Sequence, residues 1–424
     1  MVGFPKYESY KDSGVEWLGE IPSHWQLLRT KNIFHLVTEP APKNNDEELL
    51  SVYSDIGVKP RKELEERGNK ASTTDGYWFV KKGDVVVNKL LAWMGAIGVS
   101  DYDGVTSPAY DILRAYKAID SKFYHYLFRN PICISKLKQH SKGIMEMRLR
   151  LYFDEFGNIK IPYPPIEEQK RIVEFLDRKT SEIDQAIAQK QRLIELLQEQ
   201  KAILINQAVT KGLDPNVPMC DRGVDWIGEI PAHWDVVRSR YLFKEQNERS
   251  LNGSEIHLCM SQKLGLVPSD ELKEKTLQSE SYEGAKLCKK ADLVLNRLKA
   301  HLGVFSVARC DGLVSPDYSV FRLQNQDMTP EYFENLFKTN QYISEFNKRV
   351  KGIVVGFYRL YTDAFNDIAC LCPPETEQVE IRNWIFMLNQ EFRVVENAIN
   401  TEIEKLTELK TVLVSNAVTG KIKV

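Results

Sequence analysis

The chain is written twice. Gly14-Val15-Glu16-Trp17-Leu18-Gly19-Glu20-Ile21-Pro22-Ser23-His24-Trp25 returns 209 positions later as Gly223-Val224-Asp225-Trp226-Ile227-Gly228-Glu229-Ile230-Pro231-Ala232-His233-Trp234, with three conservative replacements. Asp84, Asn88, Gly95, Asp103-Gly104, Ser107-Pro108 and Tyr110 answer to Asp292, Asn296, Gly303, Asp311-Gly312, Ser315-Pro316 and Tyr318 at a spacing of 208. The spacing is again 209 for Lys142-Gly143 with Lys351-Gly352, Arg150-Leu151-Tyr152 with Arg359-Leu360-Tyr361, Pro164-Pro165 with Pro373-Pro374, and Ala208-Val209-Thr210 with Ala417-Val418-Thr419. Any fold for this chain is therefore a fold for half of it, built twice.

Each copy splits at its proline pair. Proline keeps the preceding residue out of helical geometry but suits the first helical turn. Glu167-Glu168 and Glu375 with Glu377 then favour a helix N-terminus through the macrodipole. No Gly or Pro interrupts Ile166 to Lys211, and Gly212 and Gly420 stand where left-handed caps are expected. A stripe at alternating threes and fours includes Leu176, Ile183, Ile187, Ile194, Leu197 and Leu204. The second copy has Ile385, Leu388, Phe392, Val395, Ile399, Ile403, Leu406, Leu409 and Leu413. Each stripe wants a partner helix, and about 45 residues make a rod of about 67 Å. The simplest burial packs the two rods antiparallel, which predicts a pseudo-twofold molecule with a globule at each end.

The regions before the rods read as α+β. Leu49 to Tyr53, Trp78 to Val80, Asp84 to Val87 and Ile97 to Val99 are short, apolar and bounded by turn signals, which suits strands. Phe123 to Leu127 and Tyr332 to Phe337 have helical spacing instead. The expected organisation is a globule over 1–165, a helix over 166–212, a second globule over 213–374 and a second helix over 375–424. DNA backbones also have local twofold symmetry, so such a molecule could place its globules on two half-sites.

Composition narrows the chemistry. With 43% hydrophobic and 27% charged residues and no run of 18 apolar residues, a cytoplasmic protein without a membrane span is expected. Net charge is −2, without the basic excess of a stand-alone nucleic-acid binder, so a local groove or partner subunits must neutralise phosphate. The seven cysteines lack CxxC spacing and nearby histidine pairs, and read as free thiols rather than metal ligands.

Taken together, these motifs resemble the specificity subunit of type I restriction-modification systems along essentially the whole chain. The resemblance rests on the Trp17-Leu18-Gly19-Glu20-Ile21-Pro22 and His24-Trp25 opening with its second copy, and on Gly83-Asp84. It rests equally on Pro164-Pro165-x-x-Glu168-Gln169 running into Arg171-Ile172-Val173, and on the helix ending Asn206-Gln207-Ala208-Val209-Thr210-Lys211-Gly212. In the second copy Ala291 replaces the glycine. The resemblance implies two target-recognition domains joined by paired long helices, each domain reading half of a split asymmetric sequence in double-stranded DNA. It implies two methyltransferase subunits and restriction/translocase subunits as partners. S-adenosylmethionine, ATP and Mg²⁺ would be bound in those partners, with no cofactor and no catalysis on this chain.

The residues agree with a non-catalytic reading. No phosphate loop exists, since Thr419-Gly420-Lys421 continues with Ile422, and no Gly-rich dinucleotide fingerprint is present. Pro316-Asp317 lacks a following Glu-x-Lys and becomes Pro108-Ala109 in the first copy, so a metal-nuclease site is not expected. Basic residues recurring in both copies suit phosphate contacts or a solvated surface: Lys81-Lys82 with Lys289-Lys290, Lys89 with Arg297, Lys142 with Lys351, and Arg150 with Arg359. Lys59, Arg61, Lys62, Arg148, Gln262, Lys263 and Tyr358 lie in segments that differ between copies or read as loops, and are candidates for base edges. Trp17, Trp25, Trp226 and Trp234 read as core, and His24 and His233 as structural hydrogen-bonding groups. Two other readings stay open: a self-contained DNA-modifying or DNA-cutting enzyme, and a coiled-coil scaffold that ignores DNA.

Overall fold

The structure is a computed structural model that describes residues 4–43, 45–64, 74–143, 149–261, 264–272, 282–352 and 358–424. The fold is α+β, and the chain divides into two compact units. Unit 1 comprises Met1–Gln191 with Ile399–Val424, and unit 2 comprises Arg192–Ala398. The first long helix runs Ile166–Lys211 and the second Glu375–Val418, so each unit holds a stretch of both.

In unit 1 the centre is a four-stranded antiparallel sheet in the order Phe34–Val37, Tyr110–Ala115, Val85–Asn88, Ile97–Val99. Successive strand residues point to opposite faces, and both faces here are covered. Val85, Val87 and Leu113 join Phe123, Tyr124, Leu127 and Phe128 of the Ser121–Phe128 helix in the main core. Val86, Ile112 and Val37 face a smaller core under the hairpin of Leu50–Tyr53 and Gly57–Pro60, with Val52 and Val58 inside. The unbroken apolar run at Val85-Val86-Val87 is the signature of that double burial.

Unit 2 repeats the arrangement. Its sheet order is Phe243–Gln246, Tyr318–Leu323, Leu293–Asn296, Phe305–Val307. Leu293, Leu295 and Phe321 enter the main core with Tyr332, Phe333, Leu336 and Phe337, while Val294 and Val320 join Leu258 and Leu266 on the other face.

The opening motif and the proline junction are brought together by strand pairing. Gln26–Arg29 pairs with Lys160–Tyr163, and Asp235–Arg238 with Ala369–Cys372. Trp25 and Trp234 are fully buried. The Trp25 indole N–H donates to Glu168 Oε1 at 3.1 Å, and His24 Nε2 lies 2.8 Å from Glu168 Oε2. Glu377 serves Trp234 and His233 in the same way, at 3.0 and 2.8 Å. Gln169 accepts from the Asp120 N–H at 3.0 Å and donates to Pro164 O at 2.8 Å, and Gln378 does likewise with Thr329 and Pro373. Glu-Gln after the prolines thus fastens each helix start to its globule.

The far end of each helix closes the other copy's globule. Ala417, Val418 and Ile422 share the unit 1 core with Leu18, Ile21 and Trp25. Gly420 has φ 74°, and a Cβ there would sit 2.4 Å from Pro22 Cδ. In unit 2, Ala208 and Val209 share the core with Trp234, and the Tyr332 hydroxyl donates to Val209 O at 2.9 Å. Both Gly212 and Gly420 take the left-handed conformation expected of a helix cap.

Within unit 1 the helix segments run antiparallel, since Lys410 Nζ reaches both Asp184 carboxylate oxygens at 2.7 Å and Lys190 pairs with Glu402. Leu176 and Ile183 are buried, Ile187 packs on the unit 1 core, and Ile194, Leu197 and Leu204 are half-buried. On the second helix Ile385, Leu388, Ile399 and Leu413 are buried, with Phe392, Ile403 and Leu406 half-buried. Val395 departs from the expected stripe at 45% exposure, as does Leu409 at 41%. The inward face passes instead through Glu396 and Lys410, giving Ile385, Leu388, Phe392, Glu396, Ile399, Ile403, Leu406, Lys410, Leu413 and Ala417. That series keeps the helical period of 3.6, whereas a stripe stepped at 3.5 drifts off the face. Among the described residues no helix is long and apolar enough to cross a membrane.

Candidate nucleic-acid interface

The recurrent basic residues fall at the two ends of each central sheet. At the start of the Val85–Asn88 strand, Asp84 is buried and accepts from Arg114 Nε at 2.9 Å, Arg114 Nη2 at 2.8 Å and the Lys81 N–H at 2.8 Å. Asp103 Oδ1 accepts from the Lys82 N–H at 2.8 Å. Asp292 with Arg322 and Lys289, and Asp311 with Lys290, reproduce these bonds in unit 2. The repeated aspartates therefore hold the Lys81-Lys82 and Lys289-Lys290 turns by their backbones, leaving the lysine side chains exposed. Lys59 belongs to the hairpin near this end, with Nζ 3.1 Å from the Tyr102 hydroxyl.

At the other end of the same strand, three distant segments of unit 1 converge. Lys89 follows the strand and its Nζ lies 3.3 Å from Pro108 O and 3.2 Å from Asp111 Oδ1. Burial holds the Asp111 carboxyl above its ordinary range in spite of that ammonium. Lys89 O accepts from the Leu151 N–H at 2.9 Å, which seats the Lys142/Arg150 backbone pair beside it. The Lys142 side chain pairs with Glu155, and Lys62 with Glu48. Arg150 is exposed and makes no ion pair among the described residues.

Unit 2 builds the same convergence with arginines. Arg297 donates from Nε to Asp317 O at 2.7 Å and from Nη2 to Pro316 O at 3.1 Å. Arg297 O accepts from the Leu360 N–H at 3.0 Å, beside the Lys351/Arg359 backbone pair. Asp317 Oδ1 lies 3.4 Å from Arg359 Nη2 and 3.9 Å from Arg297 Nη2. The Tyr358 ring stands edge-on to His301 at 5.8 Å. In the first copy Ala109 occupies the place of Asp317, so the first site lacks this carboxylate.

Chemically, both sites present cationic donors fixed by backbone contacts, the arrangement that holds phosphate oxygens. Arg148, Gln262 and Lys263 lie outside the described residues. Sequence reasoning missed Asp111, Asp317 and His301 as members of the sites. Tyr110 and Tyr318 were visible as repeated residues, but nothing local paired them with Asn88 and Asn296 in the sheet.

The type I restriction modification DNA specificity domain family matches residues 22–196. The MjaVIII type I restriction enzyme specificity subunit of Methanocaldococcus jannaschii is 24% identical over 264 residues, covering 60% of this chain and 57% of that protein. The EcoKI specificity subunit of Escherichia coli is 22% identical over 327 residues, covering 73% and 68%. The first of these matches thus spans little more than half of the relative's length. Among solved structures, a chain from work on complex assembly and conformational transition of the type I R-M system aligns with TM-score 0.65 and 16% identity, over 94% of this chain and 98% of that one. The HsdS subunit from Thermoanaerobacter tengcongensis aligns with TM-score 0.52 and 16% identity, over 95% and 98%. At such identities the likeness is one of fold. Residues 22–196 therefore match the type I restriction modification DNA specificity domain family, within a chain whose fold along nearly its whole length is similar to that of the HsdS subunit.

Proposed function

We propose that this chain is the DNA sequence-specificity subunit of a type I restriction-modification complex. The globules over 1–165 and 213–374 each read one half of a bipartite, asymmetric target. The helices over 166–212 and 375–424 set the gap between the halves and seat two methyltransferase subunits. The observation that carries this reading is the duplicated cationic site: Lys89 with Arg150, and Arg297 with Arg359, stand at the same place on the same sheet in both units. One DNA-reading surface built twice, with different details, suits two different half-sites. Exposed apolar side chains on the helices of unit 2, Phe386 and Val394 among them, support a protein partner there. S-adenosylmethionine would be bound by the methyltransferases, and ATP and Mg²⁺ by a restriction/translocase subunit. This chain contributes recognition without a chemical step.

Co-expression with the accompanying methyltransferase subunits, followed by mapping of methylated adenines, tests the reading. A split motif with a fixed gap is expected, together with no turnover by the purified chain given S-adenosylmethionine or Mg²⁺. Methylation or cleavage by the chain alone would replace this reading with that of a self-contained enzyme. Failure of the complex to bind any duplex would favour a scaffold.

A further inference from the structure

Arg61 opens the short turn after the Gly57–Pro60 strand, with its N–H donating to Leu49 O at 2.8 Å. Its neighbours in charge are already committed: Lys62 pairs with Glu48, Lys59 bonds Tyr102, and Arg114 clasps Asp84. Arg61 is half-buried as a residue, and its guanidinium makes no ion pair among the described residues. Tyr110 packs on the small core under the same hairpin, alongside Val52, Val58 and Trp78. Burial pushes its hydroxyl pKa up, with Tyr53 and Tyr77 adding to the rise and the Arg61 charge opposing it. Tyr110 also pairs with Asn88 in the sheet, one residue from Lys89, so this cluster is continuous with the cationic site.

The second copy provides an internal control. The hairpin registers Leu50↔Pro60 and Leu258↔Pro268 align the two, and the scaffold tyrosine is kept as Tyr318. At the positions of Tyr53, Arg61 and Tyr77 stand Ser261, Ser269 and Ala285. A scaffold retained around residues that differ is where two half-site specificities would be separated. A guanidinium not engaged by a protein carboxylate offers two parallel N–H donors, which match O6 and N7 of guanine in the major groove.

Resting on the function proposed above, we propose that Arg61, held by its backbone at the end of the Gly57–Pro60 strand, reads a guanine in the half-site bound by unit 1. The test uses the full chain in its methyltransferase complex, as wild type, Arg61→Ala and Arg61→Lys, on duplexes in which each base pair of the mapped motif is replaced singly. Both variants should lose about 10- to 100-fold of the discrimination at one G·C pair of one half-site and keep the other half-site intact. Arg61→Lys retains the charge, so a loss there is not a loss of general attraction or of folding. The proposal is overturned if Arg61→Ala leaves discrimination unchanged. It is also overturned if that variant weakens every duplex alike with a shallower salt dependence and Arg61→Lys restores binding, the behaviour of a phosphate contact. A wild-type complex with no split motif would overturn this proposal together with the function on which it rests, whereas an intact motif in Arg61→Ala overturns this one alone.

Discussion

Ala291 adopts φ 73°, the positive value that Gly83 takes at 94° in the first copy, and it is the one non-glycine residue to do so among those described. A Cβ in the left-handed region costs about 1 kcal/mol. Ala291→Gly should therefore stabilise unit 2 by about 1 kcal/mol, seen as a higher denaturant midpoint, and an unchanged midpoint would mean that the turn carries no strain. His125 shows a different local solution to one problem. Its Nδ1 accepts the Val99 N–H at 3.3 Å, where the second copy uses Glu334 Oε2 to accept from Val307 at 3.0 Å. Burial, then the nearby Arg129, lowers the His125 pKa from 6.5 to about 4. Between those values the unfolded chain binds a proton that the folded chain refuses, so stability falls as pH drops from 6.5 towards 4 and is flat above. Denaturant titrations across that window should show the decline in wild type and its reduction in His125→Gln. At Asp317, removal of the carboxylate by Asp317→Ala frees Arg297 and Arg359. Binding to unrelated duplex should tighten and its salt dependence steepen, as titration at several salt concentrations would show. The Ala291 replacement was visible in the sequence, but the roles of His125 and Asp317 were not, because each depends on a partner 20 or more residues away. The structural roles of His24 and Trp25 were legible, yet their common acceptor Glu168 was seen only as part of a motif.

The long helices were the most readable elements, since proline stops, acidic first turns and glycine caps are local chemistry. The stripe itself was read well on the first helix and imperfectly on the second, where heptad stepping placed Val395 and Leu409 inward and the helical period of 3.6 turned them out. This gives a paired prediction within unit 1. Leu409→Asp should alter stability by less than about 0.5 kcal/mol, whereas Leu413→Asp should cost about 3 kcal/mol or more, because its carboxylate would be buried without a partner. Equal melting curves for the two variants would show that the helical face is wrongly identified. Strands were legible by position to within a residue, as at Leu50–Tyr53 and Val85–Asn88, because turn signals bound them. Their pairing was not, since period-2 patterning says which face a residue takes and nothing about its neighbour strand.

For the whole molecule, the consequence of duplication is that the last residues of the chain complete the unit that contains the first. Leu413, Ala417, Val418 and Ile422 are core residues of unit 1. Removing residues 413–424 should destabilise unit 1 by on the order of 5 kcal/mol, by loss of buried side chains at Trp25, Leu18 and Ile21, and leave unit 2 folded. Hydrogen exchange would check it: residues 4–40 should lose protection while 235–246 keep theirs, and uniform protection would show that the tail is dispensable.

Sequence alone determined the duplication, the α+β class and the presence of two long helices starting at the proline pairs, because identity at fixed spacing, turn residues and helical period are properties of neighbours along the chain. It also supplied the list of recurring cations. Tertiary structure alone decided which of these meet: Lys89 joins Arg150 because strand pairing and a backbone bond to Leu151 bring them together, while Lys81 and Lys82 are carried to the opposite end of the same strand. It likewise decided that Asp317 stands between two arginines. Such meetings are set by sheet register and by the closure of long loops, which depend on the sum of packing over the whole core and leave no periodic trace in the residues that meet.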